Sequence, residues 1–196
     1  GVGDAKFLAE CGADLIVTDL KSELALKSSL KRLKNYKNIK FVLGKHRLKD
    51  FRNRNLIIKA AGVPLDSPFV IEAKKNKIPA LMSTALFVRF AQTLGVKIIG
   101  VTGTRGKTTV TLLIYEILSQ FNRPRVWLGG NIKDISTLAL LPKVKPGDLV
   151  VLELDSWQLQ GFGEAKISPH IAVFTNFMPD HMNYYKNNLK TYLKDK

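Results

Sequence analysis

The chain has 196 residues, of which 45% are hydrophobic and 24% charged, which is the composition of a globular protein with one large or two small domains. No apolar run reaches the roughly 18 residues of a membrane span, and the N-terminus lacks the zones of a secretion signal. We therefore expect a cytoplasmic protein that does not bind membranes. Cys11 is the single cysteine, which excludes an internal disulfide and a metal cage built from thiolates.

The net charge of +15 has three interpretations: a nucleic-acid surface, a pocket for polyanionic small molecules, or lysines spread over the solvent-exposed surface. Basic residues are densest over 27–54, but only Tyr36, Phe41 and Phe51 could stack on bases there. Single-strand binders need aromatic platforms beside the charge. We therefore predict exposed helix and loop over 27–54 and expect no nucleic-acid partner.

The predicted elements begin with a helical stretch that follows Gly1-Val2-Gly3 and ends at Gly12. Asp19 closes the next apolar strand, and an acid at that place after a Gly-x-Gly start is typical of a dinucleotide-type βαβ unit. The strand that should precede the glycines is missing, and Lys6 stands where the fingerprint has Gly or Ala. We therefore predict a Rossmann-like N-terminal domain that lacks its first strand.

Short, nearly continuous β-branched runs predict strands at 14–19, 55–60, 97–102, 149–153 and 171–175. Helical patterns separate them, and this alternation favours parallel sheets with helices on their faces, an α/β fold. The least regular joint lies near Gly95, so we predict domains at 1–95 and 96–196. A last helical pattern over 187–196 simply stops, and we expect the chain to be a fragment.

A glycine-rich loop lies between the strand at 97–102 and a helix predicted over 110–118, with the sequence Gly103-Thr104-Arg105-Gly106-Lys107-Thr108-Thr109. The N–H groups and the dipole at the start of a helix favour an anion. Glycines let the backbone curve around phosphate, Lys107 can reach the outer phosphates, and the Thr108 hydroxyl can bind Mg²⁺. The spacing is shorter than the full Walker pattern, because Val101 stands where the first glycine would be. The loop predicts binding of nucleotide phosphates, those of ATP in the first place.

Two further polar residues follow other predicted strands: Glu153 ends one, and His181 lies a few residues past Thr175. Open α/β sheets bind ligands outside the carboxyl ends of their strands, so both side chains can converge with Lys107 and Thr108. The alternative for Glu153 is a strand-end acid paired with a lysine. The loop position of His181 and the acid beside it, Asp180, favour a functional role.

The chain resembles the Mur ligase family in four motifs that occur in order, at 101–111, 129–132, 153–159 and 175–182. Within that family, the segment Ser156-Trp157-Gln158-Leu159 favours the branch that adds D-glutamate. The resemblance implies a P-loop-type parallel-sheet ATP-binding domain after the Rossmann-like one, with a C-terminal domain absent here.

The resemblance also implies an ATP-dependent ligase of peptidoglycan precursor synthesis that acts as a monomer. ATP would phosphorylate the carboxylate of UDP-N-acetylmuramoyl-L-alanine, and the amine of D-glutamate would then attack the acyl phosphate to form an amide. The catalytic residues would be Lys107, His181 and Lys196, the last at the position of a lysine that carbon dioxide carbamylates. Mg²⁺ would be held by Thr108, Glu153, His181 and Lys196, and the substrates by Asp19, Lys21, Gly62, Asn131, Ser156 and Gln158.

Three residues depart from the family pattern: Arg105 replaces Asn, Asp155 replaces Ser, and Lys133 stands where Gly is expected. Arg105 could add a phosphate contact, and Asp155 could join the metal ligands or repel the substrate. Two other interpretations stay open. The chain could belong to another Mur-type or folylpolyglutamate-type amide ligase, or it could be a nucleotide-binding remnant without catalysis.

Overall fold

The computed structural model describes residues 1–196, and the chain divides into two compact units, Gly1–Leu81 and Met82–Lys196. The first unit contains three helices, four short strands and one 3-10 turn. In chain order these are α1 (Val2–Glu10), β1 (Leu15–Asp19), α2 (Lys27–Leu33), β2 (Ile39–Leu43), the 3-10 turn Leu48–Phe51, β3 (Ile57–Ile58), α3 (Pro68–Lys75) and β4 (Ala80–Leu81).

The strands of the first unit form two parallel ladders of two strands each. Strand β1 pairs with β2 and β3 pairs with β4, so that Leu15 lies opposite Ile39 and Ile57 opposite Ala80. Helix α1 packs Ala5 and Ala9 into a small core with Leu33 and Ile39. The parallel pairing with helical connections confirms the α/β prediction for this part of the chain.

The prediction of exposed helix and loop over 27–54 is wrong for residues 39–43, which form β2. Ile39 and Val42 of this strand are buried, whereas Lys40 is exposed. The apolar and β-branched residues of Ile39–Leu43 suit a pleated, half-buried strand. The many lysines around this short segment suggested an exposed loop. A lysine on the solvent-facing side of a strand, such as Lys40, is nevertheless compatible with a strand.

The second unit contains four helices, four strands and a short 3-10 turn. In chain order these are α4 (Ser83–Thr93), β5 (Lys97–Thr102), α5 (Lys107–Ser119), β6 (Val126–Gly130), the 3-10 turn Leu138–Leu140, β7 (Leu149–Glu153), α6 (Ser156–Ala165), β8 (Ile171–Phe174) and α7 (Leu189–Asp195). None of the helices in the chain is long and apolar enough to cross a membrane.

The four strands form one parallel sheet in the order β6-β7-β5-β8. Val101 of β5 lies opposite Glu153 of β7 and opposite Val173 of β8, so these strands end at one edge of the sheet. Ile99, Val101 and Val151 form a buried cluster on which α5 packs Val110 and Ile114. The residues that directly follow β5, β7 and β8 therefore lie at the same edge of the sheet.

Helix α4 belongs to the second unit, so the chain divides before this helix and not near Gly95 as the sequence suggested. The helix buries Phe87, Val88 and Ala91 completely and packs against α6, β5 and the 3-10 turn of the second unit. Its connection to β5 is short, which ties it to the sheet that follows. The irregular joint at Gly95, with φ 77°, is therefore a turn inside the second unit.

Candidate functional site

The glycine-rich loop connects β5 to α5, as predicted, and its two glycines adopt backbone conformations that other residues avoid. Gly103 has φ 137° and Gly106 has φ 76°. A Cβ added to Gly103 would lie 2.0 Å from Thr175 Oγ1, so a side chain has no room there. Gly106 precedes α5, and no side chain caps this helix end. The first-turn N–H groups of α5 are therefore donors without an acceptor inside the helix, which suits an anion.

Two N–H groups of the loop have acceptors within the protein. Thr104 N–H donates to the Asn176 carbonyl oxygen at 2.9 Å, and Arg105 N–H donates to Asn176 Oδ1 at 2.9 Å. The donors that remain for an anion are those around Gly106 and at the start of α5. Asn176 was not among the predicted site residues, although it lies in one of the four family motifs.

Glu153, at the end of β7, is 3% exposed and is held by two side chains of other elements. Thr108 Oγ1 donates to Glu153 Oε2 at 2.6 Å, and Asn131 Nδ2 donates to Glu153 Oε1 at 3.2 Å. Asn131 reaches this position because Gly130 has φ 86° and packs on the Glu153 backbone, where an added Cβ would lie 2.0 Å from the Glu153 carbonyl oxygen. The partners of the carboxylate are thus a hydroxyl and an amide and not a lysine. The structure brings together two predicted metal ligands and one predicted substrate residue.

Two lysine side chains donate to the backbone of the loop. Lys107 Nζ donates to the Thr104 carbonyl oxygen at 3.0 Å, and Lys196 Nζ donates to the Gly103 carbonyl oxygen at 2.7 Å. The Lys196 ammonium also lies 5.2 Å from the centre of the Tyr192 ring. Burial first, and then repulsion by Lys107, lowers the pKa of Lys196 to about 8. An unusually large fraction of Lys196 is therefore a neutral amine near neutral pH.

Asp155, one of the departures from the family pattern, is the N-cap of α6. Its side chain accepts from Gln158 N–H at 2.7 Å, while Gln158 Oε1 accepts from Asp155 N–H at 3.1 Å, which is a capping box. Burial raises the pKa of Asp155, whereas the Gln158 N–H bond and the charges of Lys196, His181 and Lys107 oppose that rise. The carboxylate therefore lies within electrostatic range of all three predicted catalytic residues. The Asp-x-x-Gln spacing before an apolar helix is a signal that could have identified the cap from sequence.

His181 has φ 52°, and its imidazole packs on the Trp157 ring with the centroids 4.5 Å apart. The backbone N–H of His181 donates to Asp180 Oδ1 at 2.9 Å, and Nε2 of the imidazole lies 3.9 Å from Asp180 Oδ2. Thr108 and Glu153 are hydrogen-bonded to each other, whereas the contacts of His181 are with Trp157 and Asp180. The predicted metal role of His181 therefore remains a prediction.

Two of the predicted substrate residues in the second unit are buried. Gln158 Nε2 donates to Thr84 Oγ1 at 3.0 Å, so both ends of this amide are engaged within the protein. Ser156 is 1% exposed, and its hydroxyl lies near the Tyr185 hydroxyl without a hydrogen bond of good geometry. Gln158 belongs to the capping box of α6, and neither residue makes a hydrogen bond to Glu153 or Asn131, so their substrate roles stay predictions.

The predicted substrate residues of the first unit lie at or after strand ends. Asp19 ends β1, and its Oδ1 accepts from Lys21 N–H at 2.8 Å. Gly62 follows β3, and a Cβ added there would meet nothing within 4 Å, so the fold of this unit does not require glycine. His46, which was not among the predicted site residues, follows β2 and makes a hydrogen bond with Thr18. If β2 had been predicted, His46 would have been a candidate, because this residue too follows the carboxyl end of a strand.

The donors at the phosphate loop fit Mg²⁺. The structure has no cluster of three or more His, Cys, Asp or Glu side chains that could enclose a metal ion. A carboxylate and a hydroxyl, those of Glu153 and Thr108, are the hard oxygen donors present. Mg²⁺ commonly takes one or two protein oxygens and completes its shell with water and substrate phosphates.

The parallel sheet, the loop between β5 and α5, and the acid at the end of the neighbouring strand define the second unit as an α/β domain of the phosphate-loop type. Residues 101–196 match the family model of the Mur ligase middle domain. The chain belongs to the Mur ligase family.

Curated relatives match along nearly the whole chain. The UDP-N-acetylmuramoylalanine--D-glutamate ligase of Borreliella burgdorferi (strain ZS7) is 38% identical over 197 residues, which cover 100% of this chain and 41% of the relative. The ligase of the same name from Roseiflexus sp. (strain RS-1) is 42% identical over 184 residues, which cover 93% of this chain and 38% of the relative. The chain thus spans about two fifths of the length of these relatives.

One solved structure that aligns with the chain is the UDP-N-acetylmuramate:L-alanyl-gamma-D-glutamyl-meso-diaminopimelate ligase from Neisseria meningitides. The alignment covers 99% of this chain and 62% of that one, at 18% identity and a TM-score of 0.47.

Proposed function

We propose that this chain is part of an ATP-dependent ligase that joins D-glutamate to UDP-N-acetylmuramoyl-L-alanine in peptidoglycan precursor synthesis. The observation that carries the proposal is the contact between Thr108 and Glu153 at the phosphate loop, with a hydroxyl-to-carboxylate distance of 2.6 Å. The choice of substrates rests on the names of the curated relatives. Because ATP and nucleotide-linked precursors are cytoplasmic compounds, we place the reaction in the cytoplasm.

The residues at the loop suit transfer of the γ-phosphate to a carboxylate. Lys107 would stabilise the charge that develops on the transferring phosphoryl group, while the N–H donors at the start of α5 bind the phosphates. Thr108 and Glu153 would hold Mg²⁺, which when bound offsets the negative charge of the phosphate oxygens. Gly103, Thr104, Arg105, Gly106 and Thr109 complete the ATP loop, with Thr104 and Arg105 contributing shape because their N–H groups are already paired.

The acceptor would lie near Asn131, His181 and Lys196. Lys196 carbamylated by carbon dioxide would present anionic oxygen in place of an ammonium, and it would hold a second Mg²⁺ together with His181. The neutral amine is the form that reacts with carbon dioxide, and the lowered pKa of Lys196 favours that form. The first unit would bind the uridine diphosphate through Asp19, Lys21 and the backbone at Gly62.

A product assay of the full-length protein tests the proposal. We expect ADP and phosphate release only when ATP, Mg²⁺, UDP-N-acetylmuramoyl-L-alanine and D-glutamate are all present, with a product of the mass of the amide. Replacing D-glutamate by L-glutamate or L-lysine should abolish turnover. Turnover with another amino acid would identify a different amide ligase, and nucleotide binding without turnover would identify a remnant.

A further inference from the structure

The side-chain amide of Asn176 pairs with the backbone of Arg105 in the phosphate loop. Asn176 Oδ1 accepts from Arg105 N–H at 2.9 Å, and Asn176 Nδ2 donates to the Arg105 carbonyl oxygen at 3.2 Å. One side chain therefore holds both polar backbone groups of Arg105. Asn176 follows β8 and Arg105 follows β5, so their pairing joins the ends of two neighbouring strands.

Other hydrogen bonds join the same two segments and surround this pairing. Thr175 Oγ1 donates to the Arg105 carbonyl oxygen at 2.6 Å. Thr104 is 4% exposed, and its hydroxyl bonds with both the N–H and the carbonyl oxygen of Met178 at 3.0 Å. The absence of a side chain at Gly103 allows this close approach, because a Cβ there would lie 3.0 Å from the Asn176 nitrogen. Thr104 and Arg105 of the loop are thus hydrogen-bonded to residues 175–178.

We propose that Asn176 is a positioning residue that holds the phosphate loop in its nucleotide-binding shape before nucleotide arrives. This inference rests on the proposed function. Glycines give a loop conformational freedom. If the loop becomes ordered only on binding, the entropy lost at that step weakens affinity. By bonding to Arg105, Asn176 removes that freedom from the half of the loop whose N–H groups do not serve the anion.

The pairing has a second consequence for the site. Residues 175–178 lead within a few positions to His181, so the segment that restrains the loop also carries a predicted catalytic side chain. Loss of the Asn176 contacts should loosen both together. Asn176 itself touches neither of the predicted metal ligands Thr108 and Glu153, so its effect is exerted through Arg105.

Calorimetry with Mg·ADP on the full-length protein tests the role of Asn176. Asn176→Ala removes both hydrogen bonds, and Asn176→Asp keeps the acceptor but sets a carboxylate against the Arg105 carbonyl oxygen. We expect ADP to bind about tenfold more weakly to each variant, the effect of one to two lost hydrogen bonds. Asn122→Ala, at an exposed loop residue, should bind like the parent. Unchanged affinity in both Asn176 variants would overturn the inference while leaving the proposed function intact.

A second measurement needs no nucleotide and separates the two proposals. Hydrogen exchange of the Thr104 and Arg105 amides, which are hydrogen-bonded within the protein, should be slow in the parent protein and faster in Asn176→Ala. Exchange that is equally slow in both would overturn the inference. A parent protein that shows this protection but binds no ADP would contradict the proposed function and the nucleotide role of Asn176 alike.

A pair of variants at Thr175 tests the inference independently, in case the Asn176 variants do not fold. Thr175→Ser keeps the hydroxyl that donates to the Arg105 carbonyl oxygen, whereas Thr175→Val removes it at nearly constant volume. We expect weaker ADP binding and faster exchange of the Thr104 and Arg105 amides for Thr175→Val, and parent values for Thr175→Ser. Equal behaviour of the two would mean that side-chain bonds to Arg105 do not position the loop.

Discussion

Lys107 and Lys196 both donate hydrogen bonds to carbonyl oxygens of the phosphate loop, at 3.0 and 2.7 Å, but they have different predicted roles. Lys107 begins α5, where the helix dipole already favours an anion, so its ammonium adds to a site of positive potential. Lys196 is half-buried, and its pKa is lowered to about 8. The two residues are therefore tested by different experiments.

Lys107→Ala should lower turnover about 100-fold or more, because the ammonium is needed where phosphoryl charge develops. The fold should persist, since the residue makes a single hydrogen bond to the Thr104 carbonyl oxygen. Steady-state kinetics with circular dichroism measures both. Lys97→Ala, at the exposed start of β5, is the matched control. Near-normal turnover of Lys107→Ala would remove the phosphate-loop assignment.

Lys196→Ala should be inactive in the full-length protein and partly rescued by added short carboxylates, which can replace a carbamate as an anionic oxygen ligand. The control is Lys194→Ala, an exposed lysine of the same helix that should keep its activity. Because the pKa of Lys196 lies below that of an ordinary lysine, carbamylation should increase as pH rises toward 8. Full activity of Lys196→Ala without carboxylates would exclude the carbamate.

At the scale of elements, α6 depends on its capping box. Asp155→Ala should destabilise the second unit by about 1 kcal/mol, the usual effect of losing an N-cap. Asp155→Asn keeps an acceptor for Gln158 N–H and removes a carboxylate whose pKa burial has raised, so it should be close to neutral. Denaturant titration measures both variants. Equal destabilisation by Ala and Asn would show that the charge, and not the cap, stabilises the helix.

The 3-10 turn of the first unit contains a charge pair with a predictable pH dependence. Arg47 Nε and Nη2 donate to the Asp50 carboxylate at 2.6 and 2.9 Å, which lowers the pKa of Asp50. A lowered carboxylate pKa stabilises the folded state above the unfolded value of about 3.9, and this stabilisation is lost as pH falls through the lower folded pKa.

We therefore expect Asp50→Asn to lower the midpoint of thermal unfolding at pH 7, and its difference from the parent should shrink as pH falls below the unfolded value of about 3.9. The free-energy difference at pH 7 should be small, because the guanidinium is partly exposed and solvent screens the pair. Asp14→Asn, at an exposed residue of the same unit, should show no such difference. A difference for Asp50→Asn that does not depend on pH would contradict the charge-pair explanation.

At the scale of the whole molecule, two compact units predict two separable ligand sites. Lys21→Glu should weaken binding of UDP-N-acetylmuramoyl-L-alanine about tenfold or more through charge reversal and leave Mg·ADP binding unchanged. Glu153→Ala should do the opposite, because Glu153 contacts Thr108 and Asn131 at the phosphate loop. Calorimetry with each ligand measures both affinities. Parallel losses for both ligands in either variant would indicate a structural role for that residue.

The patterns in the chain were sufficient for the α/β class, for the strands at 97–102 and 149–153, and for the phosphate loop between a strand and a helix. Buried parallel strands leave a nearly continuous apolar run, and the loop has glycines at defined spacing, so both signals are local. Strand β2 was missed because a five-residue strand surrounded by lysines has a weak local pattern. The boundary near Gly95 was misplaced because the partner of α4 is set by packing against α6 and β5.

The sequence by itself determined which residues are chemically suited to the site: Lys107, Thr108, Glu153 and the glycines of the loop. Only the tertiary structure decided that Asn176 holds the Arg105 backbone, that Asp155 caps α6, and that Gln158 and Ser156 are buried. These assignments depend on contacts between residues far apart in the chain, such as Arg105 with Asn176 and Thr84 with Gln158. A side chain's chemistry is local, whereas its partner is selected by the fold that brings separate strand ends and helices together.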